Sequence, residues 1–266
     1  MKYIIYLKNN RGLLKKLVKR DIESRYKGSL LGFLWAVITP LIMLSVYATF
    51  FTVVFKAKWG GIEDESKGMY AIIIYSGIIV HSFVAECLNR SSDAIVSNKN
   101  LVNKVVFPLE IIPVSMLGYP FISLSINTIL ITLAVVVIND GFLSGTIYFV
   151  ILFYILMLFI GLSLCWIISS ISVYVKDIKQ VLPLITSLLM FISPIFYSVE
   201  ILPPSLQIFM YINPLTYLIE VYRDIIIWGN PPNIQLLLFF TLVLFFAASL
   251  SFKIFKKLKK GFADVM

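Results

Sequence analysis

The chain has 266 residues, 59% of them hydrophobic and only 14% charged, with a formal net charge of +9. Soluble domains carry about 25% charge, so this composition excludes a soluble particle of such size: too little polar surface exists to cover it. The basic excess sits in connections between apolar blocks rather than on one face of a polar fold, which excludes an ordinary nucleic-acid-binding domain.

The apolar residues gather in blocks of about 20, the length that crosses a bilayer's hydrocarbon core. Six spans are predicted, at about 30–55, 69–86, 112–138, 146–172, 181–198 and 233–252, giving an all-α integral membrane fold. Residues 1–29 precede the first span. Within them, from Arg11 to Lys27, Leu13, Leu14, Leu17, Val18, Ile22 and Tyr26 form an apolar stripe, with Lys15, Lys16, Lys19, Arg20 and Glu23 turned away. Such a basic amphipathic helix lies in the membrane interface. There Arg20, Arg25 and Lys27 attract anionic headgroups, including the phosphates of a lipid substrate; a simple anchor is the plainer alternative. The first block begins too late, after too many basic residues, for a signal peptide.

The first span carries Tyr47, Phe51 and Phe55 on one helical face, with Phe50 beside them. The acidic run at 63–65 reads as a solvated face. His81 in the second span has no second His or Cys nearby, and Cys87 and Cys165 show no metal-ligand spacing, so all three read as core residues and no metal site is expected. Residues 97–104 are short and polar, with no reason to enter the membrane. The fifth span ends in Phe191, Phe196 and Tyr197.

Residues 199–232 tempt a seventh span. However, Asn213 followed by Pro214 is a strong helix start, and Gly229 with Pro231 and Pro232 ends that helix after roughly 15 residues, about 22 Å. Glu220, Arg223 and Asp224 are costly at membrane depth, and Glu220 and Arg223 stand at pairing distance along a helix. The segment 199–228 is therefore expected to dip in and return on the external side as two short helices broken near Asn213, against protein or a water-filled path. A surface-lying amphipathic helix is the alternative.

Charge then orients the chain. Residues 1–29 hold nine basic residues, 86–110 three, 176–179 two and the tail 253–266 five, nineteen in all against four in the other connections. This places both termini in the cytoplasm. No phosphate-cradling G-x-x-x-x-G-K-[ST] loop occurs, so energy has to come from a separate subunit, and no nucleophile or carboxylate constellation supports an enzyme.

At four places the residues resemble a known family. Arg25-Tyr26-Lys27-Gly28-Ser29 followed by Leu31-Gly32-Phe33-Leu34-Trp35 and Pro40-Leu41 looks like the entry signature of ABC-2 type permeases that export polysaccharides. "NLVNKVVFPLEIIPV" (100–114), "SPIFY" (193–197) and "NPLTYLIEVYRDIII" (213–227) are similar to later segments of the same family, in the same order.

The resemblance implies the membrane subunit of a bacterial inner-membrane exporter, a homodimer working with two copies of an ABC ATPase that binds ATP and Mg. The cargo would be a polyprenyl-pyrophosphate-linked polysaccharide such as O-antigen. The segment 91–104, with Asn98, Lys99, Asn100, Leu101 and Lys104, would couple to the ATPase. Tyr47, Phe50, Phe51, Phe55, Phe191, Phe196 and Tyr197 would line a path between the first and fifth spans of two copies. Asn213, Pro214, Glu220 and Arg223 would close its outer mouth. An exporter of teichoic acid, capsule, lipid or drug is a second reading, and a membrane-embedded polyprenyl-phosphate transferase or a structural scaffold a third and fourth.

Overall fold

The computed structural model describes residues 2–50, 59, 68–102, 107–142 and 144–265. The described residues are helical throughout, with no strand among them. Two N-terminal helices, α1 (Lys2–Asn9) and α2 (Arg11–Tyr26), lead through a short turn at Gly32–Leu34 into α3 (Trp35–Ala48). The bend between them uses Gly28 and Gly32 at φ +84° and +51°, left-handed backbone that a side chain would strain. Then follow α4 (Met69–Ser91), the short α5 (Lys99–Val102) and α6 (Ile111–Ser115), α7 (Gly118–Ile138), α8 (Val150–Tyr174) and α9 (Ile178–Ile192). The chain closes with α10 (Pro204–Ile212), α11 (Pro214–Arg223), α12 (Ile234–Leu258) and α13 (Phe262–Val265).

Four helical stretches are long and apolar enough to cross a membrane: Met69–Ser91, Ile111–Ile138, Gly145–Tyr174 and Ile234–Val265. These correspond to the expected second, third, fourth and sixth spans. The expected first and fifth spans are shorter helices. Each of α3 and α9 covers about 21–23 Å at 1.5 Å per residue, less than a bilayer core of about 30 Å. Ser193 ends α9 in extended backbone ahead of Pro194, and the continuation of α3 beyond residue 50 lies outside the described residues.

The core forms around α4, α8, α11 and α12. Trp166 on α8 is fully enclosed and meets Phe252 of α12 at 5.0 Å and Tyr3 of α1 at 5.7 Å between ring centroids. The N-terminal helix is therefore not only a surface element: Tyr3 is 2% exposed, inserted between α8 and α12. Gly161 lets α8 approach the α6–α7 turn, where an added Cβ would meet Leu117 at 2.8 Å.

Side-chain contacts gather one set of connections at one end of the bundle. Tyr6 and Lys259 both reach Glu110, at 2.6 and 2.9 Å, and the Tyr174 hydroxyl donates to the carbonyl of Leu258 at 2.6 Å. Asp21 pairs with Arg90, and Asp93 with Lys179, each at 2.6 Å. Both termini thus share an end with the 86–110 and 176–179 connections, the four regions that carry nineteen of the basic residues. At the other end, Thr146 donates to the carbonyl of Ile225 at 2.9 Å and Ser144 lies against Gly229.

Candidate functional site

The site begins with how α2 is held. Leu17 is buried, and Val18 rests on Gly118 so closely that a Cβ there would fall 2.4 Å from its methyl group. The stripe that predicted an interface helix thus packs in part on the start of α7. Its polar side is tied as well: Arg90 binds both carboxylate oxygens of Asp21, and Arg20 donates to Asn98 at 3.1 Å. The interface helix α2 and the described part of the segment expected to couple to the ATPase, 91–102, are joined to each other through Arg20 and Asn98.

Next to this joint a cavity of about 1040 Å³ opens between α3, α4 and α7, with Met190 of α9 at one wall. Its mouth carries Arg25, Tyr26, Ser29, Glu86, Asn89, Arg90 and Tyr119. The Arg25 guanidinium lies 3.6 Å from the centre of the Tyr119 ring and 3.1 Å from Glu86, and Arg90 approaches the same ring at 5.5 Å. Deeper in, Tyr47 stands 6.2 Å from Tyr75 between ring centroids, and the Tyr75 hydroxyl donates to Asn127. Glu86 and Tyr75 are eleven residues apart on one helix, about 16 Å along its axis, so the cavity follows α4 for much of its length. Between these levels His81 Nε2 is 2.9 Å from the carbonyl of Thr186. A carbonyl only accepts, so Nε2 carries the proton and pins α9 to α4.

The expected residues divide accordingly. Arg25 and Tyr47 reach the cavity. Arg20 turns to Asn98, and Lys27 is exposed just past the end of α2. Phe50 and Phe191 are exposed, at 53% and 67%. Phe191, Phe196 and Tyr197 make a cluster of their own: the two phenyl rings are 6.3 Å apart, and Tyr197 donates to the Phe191 carbonyl at 2.8 Å. Phe51, Phe55 and Lys104 lie outside the described residues. Of the coupling set, Asn98 ends a turn at Val96–Asn98 and is half-buried, Lys99 and Asn100 are exposed, and Leu101 is half-buried. In the described part of this segment that turn is followed by the single turn of α5.

At the other end the broken helix forms as its sequence suggests. Asn213 separates α10 from α11; its Oδ1 accepts from the Leu215 amide at 3.0 Å, and its Nδ2 donates to Ser193 at 3.0 Å. Pro214 opens α11. Glu220 is half-buried. No ion pair between Glu220 and Arg223 occurs among the described residues. Arg223, 4% exposed, instead donates to the carbonyls of Ile73, Pro194 and Ile195 and to the Ser76 hydroxyl. Its guanidinium also lies 4.6 Å from the centre of the Trp59 ring. All but the Ser76 hydroxyl are backbone acceptors, about 150 residues away in the case of Ile73; periodicity and charge patterns carry no trace of them.

Sequence reasoning also missed Glu110, Arg90, Tyr119 and Asn127. Glu110 binds Tyr6 and Lys259 with its carboxylate, and its carbonyl accepts from the Trp166 indole at 3.0 Å. Burial pushes its carboxyl up, but the bonds from Tyr6 and Lys259 outweigh burial and hold it below the ordinary range. The one available signal was Glu86 and Arg90 at i, i+4: the expected second span stopped at 86, whereas α4 runs to Ser91 and carries both on its last turns.

Comparison with known proteins agrees with this architecture. The model of the ABC-2 type transporter family matches residues 12–227. The chain is similar to an O-antigen export system permease protein RfbA of Klebsiella pneumoniae, 27% identical over 259 residues, covering 96% of this chain and 95% of that protein. A second Klebsiella pneumoniae protein of the same name is 25% identical over 259 residues, with the same coverage. The Myxococcus xanthus protein of that name is 26% identical over 193 residues, 71% of this chain and 70% of its own length. With the family model spanning most of its length and apolar helices built to cross a bilayer, the chain belongs to the ABC-2 type transporter family as a multi-pass membrane permease.

Proposed function

We propose that this permease is the membrane subunit of an ATP-driven exporter that moves a lipid-linked polysaccharide of the O-antigen class from the cytoplasmic to the external side of a bacterial inner membrane. The observation that carries this reading is end-to-end similarity to proteins named as O-antigen export permeases, over 96% of the chain. The working unit is two copies of this chain with two ABC ATPase subunits, which bind the ATP and Mg. Both termini lie in the cytoplasm, consistent with the gathering of the basic connections at one end. Six crossings complete the topology, with α3 and α9 as parts of the first and fifth, and 199–228 re-enters from outside.

In this reading α2, the end of α4 and the 91–102 connection receive the ATPase stroke together, because Asp21–Arg90 joins α2 to α4 and Arg20–Asn98 joins it to the connection. Tyr47 and the aromatic cluster at 191–197 offer flat faces to sugar rings, whose hydroxyls stay hydrated.

Capture of the full-length chain from its native membranes in mild detergent tests the proposal. A stoichiometric co-purifying subunit with a phosphate-binding loop and ATPase activity is the expected result. Recovery of the chain alone, even after cross-linking, would overturn it. With that partner in hand, ATP-dependent protection of a radiolabelled lipid-linked polysaccharide inside inverted vesicles decides the cargo; transport of a drug or teichoic acid instead would replace the O-antigen assignment.

A further inference from the structure

Helix α9 is attached to its neighbours along α4 at three levels, and the attachments differ in kind. Lys179 meets Asp93 just past the end of α4, the Thr186 carbonyl meets His81, and the residues after α9 are joined to Ile73 and Ser76 through Arg223. Little else holds the helix: of its residues only Leu182 and Thr186 are buried, while Val181, Leu184, Ile185, Leu188, Phe191 and Ile192 are exposed. At its outer end Arg223 donates to the carbonyls of Pro194 and Ile195 at 2.7 and 3.1 Å, and the Tyr70 hydroxyl donates to that of Phe196 at 3.1 Å. Parting these bonds would leave a buried guanidinium and several carbonyls unmet, at the full cost of their desolvation. At the other end Lys179 and Asp93 are 2.6 Å apart, with side chains 60% and 45% exposed. Once parted, both ions are solvated at once, and an exposed pair holds weakly. Among the described residues it is the one ion pair or side-chain hydrogen bond that ties the first two turns of α9 to another element. Asp93 belongs to the connection that α2 grips: the Ser97 amide and hydroxyl donate to its carbonyl at 2.9 and 2.7 Å, and the adjacent Asn98 accepts from Arg20.

We propose that Lys179–Asp93 is a releasable latch at the cytoplasmic end of α9, and that α9 swings about a fixed pivot at 193–196 held by Arg223 and Tyr70. The difference in cost decides which end moves, since the solvated pair parts long before the buried bonds do. Displacing the 91–102 connection withdraws Asp93 from Lys179, and α9 then leaves α4 from its cytoplasmic end, first at Leu182 and next at Thr186. The seam widens on the side of the cavity's charged mouth while the outer end stays shut. Lys179 and Asp93 thereby become positioning residues, which set how often the seam opens without touching cargo.

The inference deepens the exporter reading and rests on it only for what displaces the connection. Its first measurement needs no ATPase, so the two fail separately. The full-length chain in nanodiscs carries one introduced cysteine at a time, Thr186→Cys in the seam or Ser193→Cys at the pivot, and its reaction with a water-soluble maleimide is timed by mass spectrometry. Both positions are buried, at 6% and 0%, and the natural Cys87 and Cys165 are 0% exposed, so the labelling rate reads local opening. Adding Lys179→Gln should speed labelling at 186 about two- to fivefold, the range that the holding energy of an exposed pair allows, and leave 193 unchanged. Asp93→Asn should do the same, and the exchanged pair, Asp93→Lys with Lys179→Asp, should return the parent rate, a rescue that general misfolding would not give. Unchanged labelling at 186 in the single variants, or no return in the exchange, would overturn the latch. Equal acceleration at 186 and 193 would overturn the pivot, because α9 would then be leaving as a whole. In native membranes ATP should speed labelling of the otherwise unaltered chain at 186 alone. If ATP has no effect while Lys179→Gln still opens 186, the latch stands and the ATPase is removed as the source of the motion.

Discussion

Arg223 and Glu110 are both buried charges, and they are satisfied in opposite ways. Arg223 has no carboxylate partner among the described residues; its donors meet carbonyl oxygens of α4 and of the chain just after α9, where Pro194 interrupts helical pairing. Truncating it leaves several buried acceptors open, each costing about 1–3 kcal/mol. Arg223→Ala should therefore destabilise by about 3 kcal/mol or more, and Arg223→Lys by less, since an ammonium keeps some of the bonds but not the planar fork. The midpoint of thermal unfolding in mild detergent checks both; an Ala variant as stable as the parent would contradict the pinning role. Gly77→Ala belongs to the same test, because the new Cβ would lie 3.0 Å from Arg223 Nη2 and 3.2 Å from the Ile195 backbone. Glu110 is paired by Tyr6 and Lys259, and its pKa is lowered on folding. A lowered carboxyl favours the native state at pH above its unfolded value and loses that contribution as pH falls through the folded one. The unfolding midpoint of the parent should hence drop more steeply than that of Glu110→Gln once pH goes below the ordinary value of 4.5. Equal slopes would show that the carboxylate adds no pH-linked stability.

Among elements, those whose ends are coded by local chemistry were legible and those fixed by distant contacts were not. Asn213 and Pro214 start α11 because a side-chain cap and a preset φ act within two residues, and the helix ends at Gly229, which takes the left-handed φ of +66°. The last turn before it widens, over Asp224–Trp228, while Thr146 holds the Ile225 carbonyl; that partner is 79 residues away, and no periodicity announces it. The amphipathic stripe of α2 was legible too, yet its destination was not: a stripe names a face without naming what covers it, and the cover in part is α7 through Gly118. The same limit hid the cavity mouth, since Arg25 was visible as a basic residue and Tyr119 beneath it was only one apolar residue in a span. The α2 contact gives a direct prediction. Gly118→Val must push α2 away from α7, because even a Cβ alone lies 2.4 Å from Val18. Trypsin should then cut at Lys15, Lys16 or Lys19 faster than in the parent, and Val18→Ala in the same chain should restore protection. Unchanged cleavage would mean that α2 is not seated on Gly118.

At the scale of the molecule the contacts define which parts can move against each other. Asp21–Arg90 and Arg20–Asn98 bind α2 to the end of α4 and the connection beyond it, so these pieces form one cytoplasmic unit under the exporter reading. The α9 helix is held differently: it ends at Ser193, its Pro183 removes a helical hydrogen bond, and it joins α4 through His81 and Thr186. An exporter has to widen somewhere, and rigid pieces hinge where pairing is weakest. Under the exporter reading the seam expected to open is the one between α9 and α4, which borders the cavity at Met190, while α2 stays with the end of α4 and the 91–102 connection. Cysteines at Arg20 and Asn98, bridged by a short bismaleimide, should therefore leave ATP-dependent export close to that of the unbridged pair. The same bridge between cysteines at Ile79 and Met190, which share the cavity wall, should abolish export and recover it when a cleavable linker is cut. Inhibition by the first bridge would mean that α2 and the connection separate during the cycle. Export through the second would mean that the cavity wall keeps its shape while cargo passes, and the path would then have to lie wholly between copies of the chain.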